Sequence, residues 1–399
     1  MMRLASMLAA LASLGLGSVA SAQQPVRVGV LEDMSGYYAD ITGFGSALAA
    51  RMAVEDFGGK VLGRPIEVLT GDHQNKADIG SSIARRWYES DKVGLVTGLG
   101  NSAVALAVRA IAASRGQIDV VASGAVSDLT GKACSPTGFH WTYDSYSLAK
   151  TTARAVVLSG GKSWFFLTAN YAYGHAAQRE STRFVEEAGG TVKGSVLMPP
   201  NTADFSSFLL QAQGSKAQVI GIAAAGSDMS NIVKQAGEFG LVAGGQNMAG
   251  LVVFITDVNA LGLKAAQGLY LTEAFYWDLD DRTRAWSNRF FAERRVMPTM
   301  AQAGVYGAVL HYLKAVQAAG TDDPRSVAVK MHELPVDDFW SRGVKIREDG
   351  RVMRPMHLFQ VKDPSDSKAP WDYYRLVSTV TAEEAFRPMV EGECPYVGR

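Results

Sequence analysis

The sequence predicts an α/β protein of two lobes, each a parallel sheet with helices on both faces, joined by a three-stranded hinge. Three observations lead there. Short β-branched runs alternate with longer amphipathic stretches, which is the pattern of βαβ units and parallel sheets. The alternation falls into two blocks, roughly Val26–Trp141 and Lys162–Thr272. The pattern then changes to two helical stretches and strand-like pieces, as expected if the chain crosses back between lobes.

Each element follows from its local pattern. Arg3 precedes an apolar run from Leu4 to Val19, and Ala20-Ser21-Ala22 offers a cleavage site before Gln23. Residues 1–22 therefore read as an export signal cleaved after Ala22, which takes the mature chain out of the cytoplasm. Strands are expected at Val26–Leu31, Ile66–Thr70, Gly94–Thr97, Val120–Ala122, Trp164–Thr168, Val192–Leu197, Val219–Ala223, Gln246–Ala249 and Gly268–Thr272. Helices are expected at Ser46–Phe57, Ala77–Asp91, Ala103–Ser114, Ser147–Ser159, Gly174–Ala188, Phe205–Gln213 and Met229–Phe239. Gly189-Gly190 and Gly240 sit just past helices, where C-caps belong. Arg282–Arg294 and Ala301–Ala319 read as helices, and Gly343–Ile346 and Met356–Val361 as strands. Connections near Tyr143, Glu273 and Asp349 form the hinge. The lobes divide as 26–143 with 274–345, and 144–273 with 346–399.

Composition narrows the function classes. Lysine plus arginine equals aspartate plus glutamate, 39 each, so no global field draws nucleic acid or an anionic membrane. The apolar fraction of 47% is that of a globular protein. Beyond the signal no apolar run reaches the roughly 18 residues of a membrane span. Two cysteines, Cys134 and Cys394, read in an exported chain as a disulfide. Closing a loop of about 260 residues contributes roughly 3–5 kcal/mol and pins the tail Glu391–Arg399 to the Gly131–Gly138 loop. The alternative is two free buried thiols.

The chemistry-bearing motifs point to binding. Gly98-Leu99-Gly100-Asn101-Ser102-Ala103 matches the relaxed dinucleotide pattern, but the next strand ends Val120-Val121-Ala122-Ser123 without the acid that holds a ribose. No cofactor is expected. Free N–H groups at that helix start, with the Ser102 hydroxyl, make a carboxylate seat. Ser123-Gly124-Ala125-Val126-Ser127 makes a second. The plainer alternative for each is an ordinary βα turn with a serine cap. Ser147-x-x-Lys150 lacks the later motifs of a serine nucleophile and reads as a capping serine. There is no G-x-S-x-G, no H-E-x-x-H, and no metal-ligand spacing among the six histidines, so neither an enzyme nor a metal site is expected. Tyr173, beside the helix-opening Gly174, offers a ring face and a hydroxyl to the interlobe space, whereas Tyr171 reads as packing on its own lobe. The loop Asp33–Asp40 leaves the carboxyl end of the first strand, the ligand edge of an open α/β sheet. Tyr38, ahead of Tyr37, is the expected ring wall, and Asp33 and Asp40 are left open.

These segments together, Val28-Gly29-Val30 with Ser35-Gly36, Gly98–Ala103, Ser123–Thr130, Tyr173-Gly174, Asp204-Phe205-Ser206 and Lys234-Gln235-Ala236, resemble the branched-chain amino-acid-binding class of periplasmic solute-binding proteins of ABC importers. The resemblance spans essentially the whole mature chain. It implies the type I periplasmic binding protein fold, two Rossmann-like lobes closing on a ligand, and a monomer that delivers to an inner-membrane ABC permease. It puts the carboxylate-binding serine at Ser102, with Asn101 beside it, and the second carboxylate segment at Gly124–Ser127. There Ala125 and Ser127 flank Val126, which stands in place of the usual threonine. The interlobe tyrosine falls on Tyr173. The family's ammonium-binding tyrosine falls on Ala225, and its acid on Leu251 or Val252. A buried ammonium without an anionic partner costs several kcal/mol. With Val252, Phe254 and Tyr38 lining the pocket, the expected ligand is an aromatic carboxylate such as a hydroxycinnamate or benzoate. Fatty acids, aliphatic amino acids and a sensory receptor role are the alternatives.

Overall fold

The computed structural model describes residues 24–398, so the expected export signal lies outside the described residues. The first sheet holds β1 (Val26–Glu32), β2 (Lys60–Val61), β3 (Arg64–Asp72), β4 (Val93–Gly98), β5 (Ile118–Val121) and β6 (Gly138–His140) in the order β2-β3-β1-β4-β5-β6. All its neighbours are parallel except the short β2–β3 pair. Its strands are joined through α1 (Gly43–Phe57), α2 (Ala77–Glu89) and α3 (Ser102–Arg115). Near-continuous apolar runs such as Val28–Leu31 suit strands covered on both faces.

The chain then leaves through Trp141–Asp144 into α4 (Ser145–Leu158), whose start is set by a capping box between Asp144 and Ser147. Ser147 thus serves its helix, as the sequence implies. The second sheet holds β7 (Ser163–Ala169), β8 (Thr191–Met198), β9 (Val219–Ala223), β10 (Asn247–Gly250) and β11 (Tyr270–Glu273). Between them lie α5 (Ala172–Glu187), α6 (Ser206–Gly214), α7 (Gly226–Glu238), α8 (Ile255–Leu261) and α9 (Leu263–Ala266). After β11 the chain returns to the first sheet, where α10 (Asp281–Arg294) and α11 (Met300–Ala319) pack on α1 and α12 (Pro324–Glu333) packs on α11. A third crossing near Arg351 leads to β12 (Met356–Val361) and β13 (Tyr374–Val380), which extend the second sheet antiparallel to order β13-β12-β11-β10-β9-β7-β8.

The crossings are tied to one another. His140 pairs with Arg351 as an isolated parallel bridge, and Arg351 Nη1 donates to the Tyr143 carbonyl at 3.1 Å. The tail, with α13 (Ala382–Ala385) against α4, runs over this hinge and sets the Phe386 ring 4.2 Å below the Arg351 guanidinium. Cys134 and Cys394 form the expected disulfide, with Cα atoms 5.7 Å apart. Two expectations change. Gly343–Ile346 is not a strand; Val344 and Ile346 make only isolated bridges, to Val336 and Val352, because this segment is a loop folding back on itself. The helix α12 was not anticipated, although Asp323 caps it and Pro324 opens it, a legible start signal.

Candidate functional site

Turns at the carboxyl ends of parallel strands meet between the lobes, where both strand orders reverse: β3-β1-β4 in one sheet and β8-β7-β9 in the other. The first lobe supplies Tyr38 and Ile41 after β1, Gly100 and Ser102 after β4, and Ser123 and Ala125 after β5. Tyr143 comes from the hinge. The second lobe supplies Tyr171 and Tyr173 after β7, Ala225 after β9, and Val252 and Phe254 after β10. They line a cleft of about 290 Å³ of atom-free space, part of it open to solvent.

Hydrogen bonds join the lobes around the cavity. The Tyr38 and Tyr171 hydroxyls hydrogen-bond each other, and Ser227 N donates to the Tyr37 carbonyl at 3.4 Å. Gly226 sits at φ +61°, and a Cβ there would lie 2.4 Å from the Tyr37 carbonyl oxygen, so glycine permits this approach. Farther out, Ser127 Oγ donates to Glu180 Oε1 at 2.5 Å.

Local chemistry positions each wall. Asp33 is buried and accepts from Gly36 N at 2.7 Å, Tyr38 N at 2.9 Å and the Asn75 amide, which folds the loop that carries Tyr38. Asp33 is thereby committed to the loop, and Asp40 is exposed. Ser102 is buried, and its Oγ accepts from Ala125 N at 3.3 Å, leaving the hydroxyl proton free to donate. Tyr143 donates to the Ser123 carbonyl at 2.5 Å and meets Phe254 edge to face, ring centroids 6.1 Å apart. The Tyr173 hydroxyl is buried without a hydrogen-bond partner among the described residues. Burial pushes Tyr38, Tyr143 and Tyr173 well above the ordinary phenol range, so all three keep their protons. The wall is thus aromatic and hydroxylic, and none of its side chains carries a formal charge.

Of the nine residues the sequence singles out, Tyr38, Ser102, Ala125, Tyr173, Ala225, Val252 and Phe254 stand together on this cavity. Two do not. Asn101 is the N-cap of α3, its Oδ1 taken by Ala103 N at 2.9 Å and Val104 N at 3.3 Å. That cap also occupies N–H groups the sequence leaves free for a carboxylate. Ser127 faces Glu180 rather than the cavity. Tyr171, read from sequence as packing on its own lobe, is a cavity wall. Tyr143, Ser123, Ile41 and Gly100 were not singled out, and neither was Glu32, which lies directly behind the wall. A larger groove, about 1670 Å³ of atom-free space that includes open solvent, lies under the amino ends of β9–β11. None of its lining polar atoms is buried without a partner among the described residues.

Solved structures match this architecture over nearly the full chain. A periplasmic binding protein from Burkholderia mallei is 46% identical, with 94% of this chain and 99% of that chain covered and a TM-score of 0.92. A branched chain amino acid ABC transporter periplasmic ligand-binding protein from Burkholderia xenovorans LB400 is 40% identical, covering 93% and 99%, with a TM-score of 0.83. A solute binding protein of an ABC transporter from Rhodopseudomonas palustris BisB5, in complex with 3,4-dihydroxy benzoic acid, shares the fold at 20% identity, 90% and 98% coverage and a TM-score of 0.82. No curated protein sequence matches the chain. The family model described as periplasmic binding protein matches residues 25–368. With two lobes, three crossings and an interlobe cavity in place, the chain belongs to the periplasmic binding protein family.

Proposed function

We propose that this protein is the periplasmic substrate-binding component of an ABC importer that captures a small aromatic carboxylate, such as a benzoate or hydroxycinnamate, by closing its lobes. The observation that carries the reading is a wall of four tyrosines and a phenylalanine without any charged side chain. An α-amino acid brings an ammonium that needs an anionic partner, and none stands on this wall. An aromatic acid needs ring contacts and a few neutral donors for its carboxylate. Phe254, Tyr143 and Tyr38 offer the first; the Ser102 and Tyr173 hydroxyls offer the second. The fold is the one in which the Rhodopseudomonas protein holds 3,4-dihydroxybenzoate.

Uptake of a branched-chain amino acid is the second reading, favoured by the description of the 40%-identical Burkholderia xenovorans protein. A calorimetric screen of benzoate, 4-hydroxybenzoate, 4-coumarate, leucine and octanoate separates the two. The aromatic acids are expected to bind; tight leucine binding with no response to aromatic acids overturns the proposal.

A further inference from the structure

The ligand cavity has a carboxyl of its own behind its wall. Glu32 ends β1 fully buried and accepts three hydrogen bonds: from Gly100 N at 2.8 Å, Ser123 Oγ at 2.8 Å and Ser46 Oγ at 3.1 Å. Gly100 and Ser123 are cavity-lining residues, so the carboxyl lies one residue's thickness from the ligand space. The β4–α3 turn is shaped around it. A Cβ on Gly98 would lie 2.7 Å from Glu32 Cδ, and one on Gly100 2.7 Å from Glu32 Oε2. These glycines therefore serve an internal acid where the dinucleotide pattern would put a phosphate. Glu32 takes up donors from both βα turns that the sequence offers as carboxylate seats.

Among the described residues no cation offsets this group. Its own strand continues into Asp33; β3 beside it ends in Asp72, in register with Glu32, followed by His73. From α1 it meets Ser46, from the β4–α3 turn Gly100, from the turn after β5 Ser123, and the hinge brings Tyr143 within its field. His73 is kept neutral by burial, which lowers its pKa to about 4, and the charge that acts on Glu32 is the like-signed Asp33. Burial raises the Glu32 carboxyl to about 7, against the pull of its three donors. A second anion seated at Ser102 would lie across Ser123 and Gly100 in the same low-dielectric space, where two like charges do not both persist.

We infer that Glu32 is a specificity-determining residue that must be protonated for the cavity to hold an anionic carboxylate, so that capture of the ligand takes up one proton. The inference rests on the carboxylate reading above and adds to it a charge rule: the site takes the acid as an anion paired with a neutral Glu32. Between pH 6 and 8 benzoate and 4-hydroxybenzoate keep one ionised carboxylate, so any change of affinity in that window belongs to the protein. Glu32→Gln keeps an acceptor for the surrounding donors while fixing the neutral state.

Isothermal titration of benzoate and 4-hydroxybenzoate at pH 6, 7 and 8, in two buffers of different ionisation enthalpy, tests it on the full mature protein and on E32Q. The wild type is expected to take up a proton on binding and to lose up to about tenfold in affinity from pH 7 to 8, the limit for one proton. E32Q is expected to show neither effect, and so to bind more tightly than the wild type at pH 8. Acids that bind the wild type with no proton uptake and no slope overturn this inference and leave the carboxylate reading standing, as does an equal slope in E32Q. If E32Q does not fold, Glu180→Gln takes its place: proton uptake that persists without Glu180 supports the inference, and uptake that is lost there overturns it. Failure of every acid to bind at any pH overturns both.

Discussion

Tyr173→Phe removes one oxygen, and the structure gives that oxygen an uneven role. Tyr173 lines the cavity, and its hydroxyl is buried with no partner among the described residues. Leaving a polar group so buried costs about 1–3 kcal/mol, so its removal does not weaken the unliganded protein. If the hydroxyl donates to a ligand carboxylate, the lost bond is one to a charged group, about 1.5–3 kcal/mol, or roughly 10- to 150-fold in affinity. The ring itself stays, keeping its packing near Tyr171 at a centroid distance of 6.0 Å. The predicted signature is therefore opposite in sign for the two measurements: unchanged or raised melting temperature without ligand, and clearly weaker binding of 4-hydroxybenzoate by calorimetry. An affinity within twofold of wild type, or a melting temperature lowered by several degrees, refutes the assignment of this hydroxyl to the ligand.

Four further outcomes follow from the same geometry. Ser102→Ala is expected to weaken carboxylate binding by about 1–3 kcal/mol, and an unchanged Kd removes Ser102 from the site. Ser127→Ala deletes the bond to Glu180 between the lobes and should speed ligand release about fivefold in stopped-flow traces, the effect of roughly 1 kcal/mol lost only in the closed form. Replacing both Cys134 and Cys394 by serine should cost roughly 3–5 kcal/mol in urea unfolding, and an unshifted midpoint contradicts the role of the bond. Burial raises Glu180 to about 7, so between about 4.5 and 7 the folded state keeps a proton that this side chain has lost in the unfolded chain. The stability of the wild type relative to Glu180→Gln should then fall as pH rises through that window, by at most roughly 1.4 kcal/mol per unit, and level off above it. A difference that stays constant, or that moves in favour of the wild type from pH 5 to 7, argues against this assignment.

The βα framework was legible because its signals are local. Val219–Ala223 and Met356–Val361 are strands with the very bounds their β-branched runs suggest. The wall residues on βα turns, such as Tyr38 and Phe254, were legible as well, because position after a parallel strand is written in the order of elements. What escaped is written in pairs far apart in the chain. Ser127 looks like a ligand donor until Glu180, 53 residues on, is brought against it from the other lobe. Glu32 reads as the polar end of a strand, and only folding puts Ser123, 91 residues later, on its carboxyl. Tyr171 reads as a packing residue because its partner, the Tyr38 hydroxyl, lies 133 residues earlier. Asn101 stands off the cavity for a local reason: a cap and a ligand donor want the same residue types at a helix start, and here the cap takes its Oδ1.

The bond between Cys134 and Cys394 has a topological effect. It joins a loop before the first crossing to a tail beyond the last strand of the second sheet, 260 residues later, so all three crossings lie inside one covalent ring. Cutting a ring once opens it without dividing it. A protease that nicks the chain at Tyr143, at Ala274 or at Arg351 therefore leaves the two halves attached, and the cut protein runs as a single species until reductant is added. The lobes can move apart, but no single break can separate them.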